Sequence, residues 1–131
     1  FLERHRGPFG LITDGPPETQ NAKIVALGLD RWIENIRKTG DWPQGYGKPH
    51  PRAYEEMEGL AAGGGPMVYV ADNPAKDFVT PKARGWITVQ IRRAGAVHPP
   101  HAKDDAHAAH VEITSLDELD GALTVQTVSM K

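Results

Sequence analysis

With 131 residues and 14.3 kDa the chain has the length of one domain, enough to bury a core without disulfide or metal staples. Its 15 Lys and Arg against 17 Asp and Glu give a formal charge of -2, with 39% apolar and 24% charged residues; this is a globular balance and argues against the basic face that nucleic acid requires. No apolar run approaches the ~20 residues of a membrane span. Cysteine is absent, which removes disulfides and thiolate metal sites and fits a cytoplasmic setting.

Residues 1–6 (FLERHR) carry neither an initiator Met nor the apolar region of a secretory signal. They read as a helix end from the middle of a domain, with an upstream part expected. Residues 9–13 (FGLIT), closed by Asp14-Gly15-Pro16-Pro17, form a short apolar run between turn signals and predict a buried strand. Residues 18–29 place Ile24 and Leu27 at helical spacing with Gly28 near the stop, predicting a helix. Trp32, Ile33 and Ile36 suit a helix turn or a strand equally. The Gly- and Pro-rich residues 39–47 predict a loop.

Pro51 suits the first turn of a helix whose apolar stripe is Tyr54, Met57, Leu60 and Ala61, ended by Gly63-Gly64-Gly65-Pro66. Residues 67–71 (MVYVA) are the clearest buried strand, followed by a helix over 75–84 and, after Gly85, a β-branched strand over 86–91 (WITVQI). Residues 94–109 show no periodicity and predict a loop. An edge strand over 110–113 and a short helix opened by Ser115 and Glu118, in capping-box spacing, complete the described pattern. Strands alternating with helices at this spacing predict an α/β fold with a parallel, Rossmann-like sheet and helices on both faces. In such sheets ligands bind at the carboxyl ends of the strands, which directs attention to three places.

The first is LITDG, residues 11–15. A hydroxyl at a strand end followed by a glycine turn presents Oγ and free backbone amides together, which is how a chain cradles phosphate. By itself, Thr before Asp-Gly is more often only a turn. The second is Gly47-Lys48-Pro49-His50-Pro51, where a lysine sits between a glycine loop and a proline-started helix. An isolated lysine is usually solvated. The segment is not a phosphate-binding P-loop, because Pro49 replaces the required Ser or Thr and Trp42 stands where the leading glycine belongs. The third is residues 67–78 (MVYVADNPAKDF). Asp72 ends an apolar strand and Asp77 follows at a helix start. Two carboxylates gathered there repel one another unless a cation resides with them, and Mg²⁺, which takes oxygen ligands including one or two carboxylates, suits the place. The plainer account makes Asp72 an N-cap and Asp77 a first-turn acid, and spacing alone leaves both open.

In this order and at these spacings the three segments resemble the haloacid dehalogenase superfamily, through residues 11–29, 48–57 and 68–91 and on to the closing 110–123. The resemblance implies that Thr13 is the motif-two phosphate-binding hydroxyl, with the Asp14 and Gly15 amides beside it. It implies that Lys48 is the motif-three lysine, catalytic through its stabilisation of phosphoryl charge. Asp72 and Asp77 become the motif-four acids for a magnesium cofactor, Asp72 as the direct ligand and Asp77 in support. Ala71 departs from the family's glycine before the acid. The larger departure is that no Asp-x-Asp occurs among these residues, so the family's aspartate nucleophile is missing from the chain, as is the cap module.

The resemblance therefore implies a single core domain over 1–131 lacking the first strand and the cap. It implies a phosphohydrolase acting, in its complete form, on a small phosphorylated metabolite, with this chain alone inactive. The alternative is a non-catalytic module for binding or self-association. The family's strand order, 5-4-1-2-3, puts the absent first strand between residues 67–71 and 9–13. The expected partners are a phosphorylated substrate or phosphate, and a homodimer partner or an N-terminal segment supplied in trans. Neither nucleic acid nor membrane is expected. His98, His101, His107 and His110 form two His-x-x-His pairs around Asp104 and Asp105, a spacing that can chelate Zn²⁺, but flanked by Pro and Ala they suit a mobile loop better. Trp32, Trp42 and Trp86 are read as packing residues. Residues 63–65 are read as a turn, since a dinucleotide fingerprint needs its glycines between strand and helix.

Overall fold

A computed structural model describes residues 8–61, 66–92, 95 and 101–123. The chain divides into two compact units, residues 1–64 and 65–131, and in both the strands are parallel.

In the first unit, strand β1 (Gly10–Thr13) pairs with β2 (Asn35–Lys38) in a register that sets Thr13 opposite Lys38. Helix α1 (Pro17–Ala26) makes the crossover, with Pro in its first turn, where a missing N–H costs nothing. It is shorter than the 18–29 predicted. Gly28, at φ 67°, turns the chain into a 3₁₀ turn at Leu29–Arg31. Ile24 is the residue that α1 buries, whereas Leu27 is 72% exposed. The ambiguous Ile36 lies in β2 and Ile33 is buried ahead of it. Helix α2 (Arg52–Leu60) buries Ala53, Tyr54 and Met57. Leu60, placed on its apolar stripe from sequence, is half exposed because the helix ends there.

The second unit is a three-stranded sheet in the order β3 (Val68–Ala71), β4 (Ile87–Ile91), β5 (Val111–Ile113). β4 is central and buried at all of its positions, as an apolar strand covered on both faces should be. Phe78, Trp86, Val89, Ile113 and Leu119 complete this core. Helix α3 (Val79–Ala83) begins later than the predicted 75. Among the described residues, β1 has β2 as its strand partner and β3 has β4.

Two local expectations change. The Ser115–Glu118 capping box is not formed; the Glu118 carboxylate instead accepts from the backbone N and Oγ1 of Thr114, at 3.2 and 2.5 Å. Trp86 is buried and meets Tyr69 edge-on, but Trp32 is 43% exposed and is no core residue. Residues 1–7, the turn at 63–65, His98 and residues 124–131 lie outside the described residues.

Candidate functional site

The carboxyl end of β1 is built as a knot of turns. Gly15 has φ 103°, a conformation that disfavours any side chain, so the chain reverses immediately after Thr13-Asp14 and enters α1. The Asp14 Oδ1 accepts from Thr39 Oγ1 at 2.7 Å and from the Lys48 backbone N at 3.2 Å. Thr39, itself buried, also reaches the Thr13 carbonyl at 3.4 Å. A single carboxylate thus fastens the end of β1, the end of β2 and the Gly47-Lys48 loop. Gly47 comes close enough that a Cβ there would stand 3.5 Å from Asp14 Oδ1. Gly40 packs on the same turn, and a Cβ there would overlap the Gly15 carbonyl oxygen.

The Thr13 hydroxyl donates to Gln20 Oε1 at 2.7 Å. Lys38, opposite Thr13 in the ladder, donates to Asn21 at 2.6 Å and lies 3.6 Å from Asp41. Thr39, Gly40 and Gln20 were not singled out by sequence reading. The only available signal was their proximity to the turn in three dimensions, since a Thr-Gly-Asp loop and a helical glutamine carry no motif of their own.

The loop bearing Lys48 is held from its far side by stacking. The Arg52 guanidinium lies 4.1 Å from the Trp42 ring centroid and 4.8 Å from that of Tyr46, and Tyr46 meets His50 edge-on at 4.7 Å. Arg52 also pairs with Glu56 at 3.3 Å, and Arg37 of β2 pairs with the same carboxylate at 2.7 Å. The hydrogen bond from Arg37 holds the Glu56 carboxyl below the usual carboxylate range. Trp42 is therefore a packing residue whose ring face is already occupied by Arg52.

In the second unit Asp72 follows β3 and is exposed, whereas Asp77 is 2% exposed. The Asp77 Oδ2 accepts the Asn73 backbone N at 2.9 Å, while the Asp77 backbone N donates to the Asn73 carbonyl at 2.9 Å. Asn73 Oδ1 accepts Ala75 N at 3.1 Å. These reciprocal bonds close the 73–77 turn and delay α3 to Val79. They hold the Asp72 backbone in place and leave its carboxylate open to water. Among the described residues no three His, Cys, Asp or Glu side chains gather as a metal cluster.

The His-bearing loop is tied to this unit. Lys82 of α3 donates to the carbonyls of Asp105 and Ala108 at 2.7 and 3.1 Å, and His107 Nδ1 lies 2.6 Å from Asp104 Oδ1. His110 Nδ1 accepts the Thr88 backbone N at 3.0 Å, which requires the neutral ring. Burial, and secondarily the Lys82 charge, push the His110 imidazole below its ordinary value. The unfolded chain then takes up this proton first. His110 should make its full contribution to stability above about pH 6.5, a contribution that declines as the pH falls toward the depressed folded pKa. Imidazole NMR should show His110 as the Nε2–H tautomer with a midpoint below the ordinary histidine value of about 6.5; a midpoint at or above that value would contradict the Thr88 pairing.

Parallel β-α units with turns, hydroxyls and acids at the strand ends define a Rossmann-like α/β domain of the class that binds ligands at its strand ends. No family model matches the chain. It is 31% identical over 118 residues to the phosphoserine phosphatase of Thermus thermophilus, covering 88% of this chain and 46% of that protein. It is 32% identical over 113 residues to the glyceraldehyde 3-phosphate phosphatase of Methanocaldococcus jannaschii, covering 84% and 46%. The structure superposes on a haloacid dehalogenase (HAD) phosphatase from Thermococcus onnurineus with TM-score 0.68 at 28% identity, over 87% of this chain and 49% of that one. A HAD-hydrolase of Bacillus subtilis solved with magnesium shares the fold at TM-score 0.66 and 19% identity, over 87% and 48%. The chain is a partial haloacid dehalogenase-like domain. It spans about half the length of the curated relatives it matches. No helix among the described residues is long and apolar enough to cross a membrane.

Proposed function

We propose that the complete protein is a magnesium-dependent phosphohydrolase of a small phosphorylated metabolite, working in the cytoplasm, and that the present chain forms one core domain in which Thr13, Asp14, Gly15 and Lys48 take the phosphate and Asp72 and Asp77 take the magnesium. The observation that carries this reading is the Asp14 carboxylate, which bonds both Thr39 and the Lys48 backbone. It fastens the hydroxyl-bearing turn and the lysine-bearing loop to one place. Thr13 with the Asp14 and Gly15 amides then receives the phosphate, and Lys48 stabilises its developing charge. The two relatives named above both act, by their names, on small phosphorylated metabolites, which supports the substrate class.

The acids fit magnesium. Asp72 is an exposed carboxylate held by a closed turn, and Mg²⁺ characteristically uses one or two carboxylates with phosphate and water rather than a full protein cage. Asp72 would be the direct ligand, and Asp77, buried and bonded to the Asn73 amide, the residue that holds it in position. When bound, magnesium would neutralise the phosphoryl oxygens. The 131 residues contain no Asp-x-Asp, so formation of an aspartyl-phosphate is assigned to a part of the protein outside them. That segment supplied in trans, or a second copy of the chain, is the proposed partner, since β1 and β3 each have one strand partner among the described residues.

NMR titration of the 131-residue chain tests the reading. Phosphate should shift the Thr13–Gly15 and Lys48 amides. Mg²⁺ should shift those around Asp72, and Asp72→Asn should abolish the metal response. The chain should not hydrolyse p-nitrophenyl phosphate. Failure of both titrations would favour the alternative, a non-catalytic module. Sedimentation equilibrium on the same samples, giving a 14.3 kDa monomer at micromolar concentration, would remove the homodimer.

A further inference from the structure

We propose that Gln20 is a positioning residue that sets the orientation of the Thr13 hydroxyl and exchanges its own hydrogen-bonding role when phosphate binds; this rests on the phosphate reading above. Gln20 lies in the first half of α1, its backbone N bonded to the Pro16 carbonyl at 3.1 Å, and its side chain folds back over the β1 turn. Its Oε1 accepts the Thr13 hydroxyl at 2.7 Å. Its Nε2 lies against Gly15, where an added Cβ would come within 2.8 Å of it. The amide therefore spans both residues that would receive a phosphate.

A threonine hydroxyl has one proton and two lone pairs. With that proton committed to Gln20, Thr13 can only accept from the cradle, and a phosphate oxygen there would find a lone pair instead of a donor. For Thr13 to donate to phosphate its proton must swing away from α1, which leaves Gln20 Oε1 facing an oxygen lone pair. Turning the amide over restores the pair, since Nε2–H then donates to Thr13 Oγ1 and holds the proton on the ligand side. Glutamine carries an acceptor and a donor on one planar group and serves both states. A carboxylate at position 20 could accept only, fixing Thr13 in the non-donating orientation and adding a negative charge beside an anion. A thioether there could do neither.

The test is an NMR titration of the 131-residue chain with inorganic phosphate, comparing the wild type with Thr13→Val, Gln20→Glu and Gln20→Met. Loss of a hydrogen bond of ordinary strength corresponds to about a fivefold change in affinity, and to tenfold or more where charge is involved. Gln20→Glu should therefore bind phosphate at least about tenfold more weakly and Gln20→Met about fivefold more weakly. Both should melt near the wild type. In the wild type, saturating phosphate should shift the Gln20 side-chain amide resonances, and in Thr13→Val it should not. If Gln20→Met binds as tightly as the wild type while Thr13→Val has lost binding, the phosphate reading stands and the role of Gln20 is refuted. If the wild type shows no phosphate response, or Thr13→Val retains it in full, the phosphate reading fails and the Gln20 proposal falls with it. Should Gln20→Glu fail to fold, Gln20→Met, neutral and close in volume, carries the comparison alone.

Discussion

Asp77→Ala is expected to destabilise the β3–β4–β5 unit by about 3 kcal/mol, at the upper end of what an orphaned buried polar group costs. The side chain is 2% exposed, and its Oδ2 accepts the Asn73 backbone N at 2.9 Å. Alanine leaves that amide without its acceptor in a place that water does not easily reach, and opens a void beside Pro74 and Phe78, which are fully buried. The loss is a large share of a net stability of about 5–15 kcal/mol for a typical domain. Asp77→Asn retains an acceptor oxygen of the same reach and should recover most of it. Urea denaturation measures both. The magnesium response at Asp72 should vanish in the alanine variant, because the turn that places Asp72 is closed by this carboxylate. An Asp77→Ala midpoint indistinguishable from the wild type would show that the turn is held by other bonds.

The second large effect is expected at Gly40. A Cβ there would run into the Gly15 carbonyl oxygen and stand 3.0 Å from Pro17 Cδ. The obstacle is main chain in a turn already constrained by Gly15 at φ 103°, so it cannot swing aside as a flexible side chain would. Gly40→Ala should cost about 1–3 kcal/mol, the usual range for forced overpacking, and should spread the turn that presents the Thr13, Asp14 and Gly15 groups. The expected result is a lower urea midpoint together with loss of the phosphate-induced shifts. Gly59 is the matched control. It lies within α2 with no atom inside 4 Å of an added Cβ, and Gly59→Ala should stabilise by roughly 0.5–1 kcal/mol through helix propensity. If Gly40→Ala matched Gly59→Ala in sign, the close approach of the two turns would be discounted.

The residues divide according to how far their information travels along the chain. The parallel α/β class, β3, β4 and the amphipathic α2 were legible because periodicity and composition act over a few neighbouring residues. Thr13, Lys48, Asp72 and Asp77 were singled out by their resemblance to haloacid dehalogenase motifs, because spacing alone leaves a plainer account of each open. The helix expected over 75–84 begins at Val79 instead, because the Asp77 side chain takes the Asn73 amide and replaces a turn of helix with a closed loop. Helical spacing counts positions and does not register such a competing side-chain bond. The difference in exposure between the two acids, Asp72 exposed and Asp77 buried, likewise does not follow from their spacing.

Residue types alone marked out a hydroxyl at a strand end, a lysine between glycine and proline, and two acids after an apolar strand. They also determined that no Asp-x-Asp stands among these residues. Only the tertiary structure decided that the Asp14 carboxylate ties Thr39 and the Lys48 backbone to the end of β1, and that Gly40 and Gln20 pack on the same turn. The physical reason is that a hydrogen bond depends on distance in space. Asp14 meets Thr39 and Lys48, 25 and 34 positions along the chain, only after β1 and β2 have paired and their carboxyl ends lie side by side.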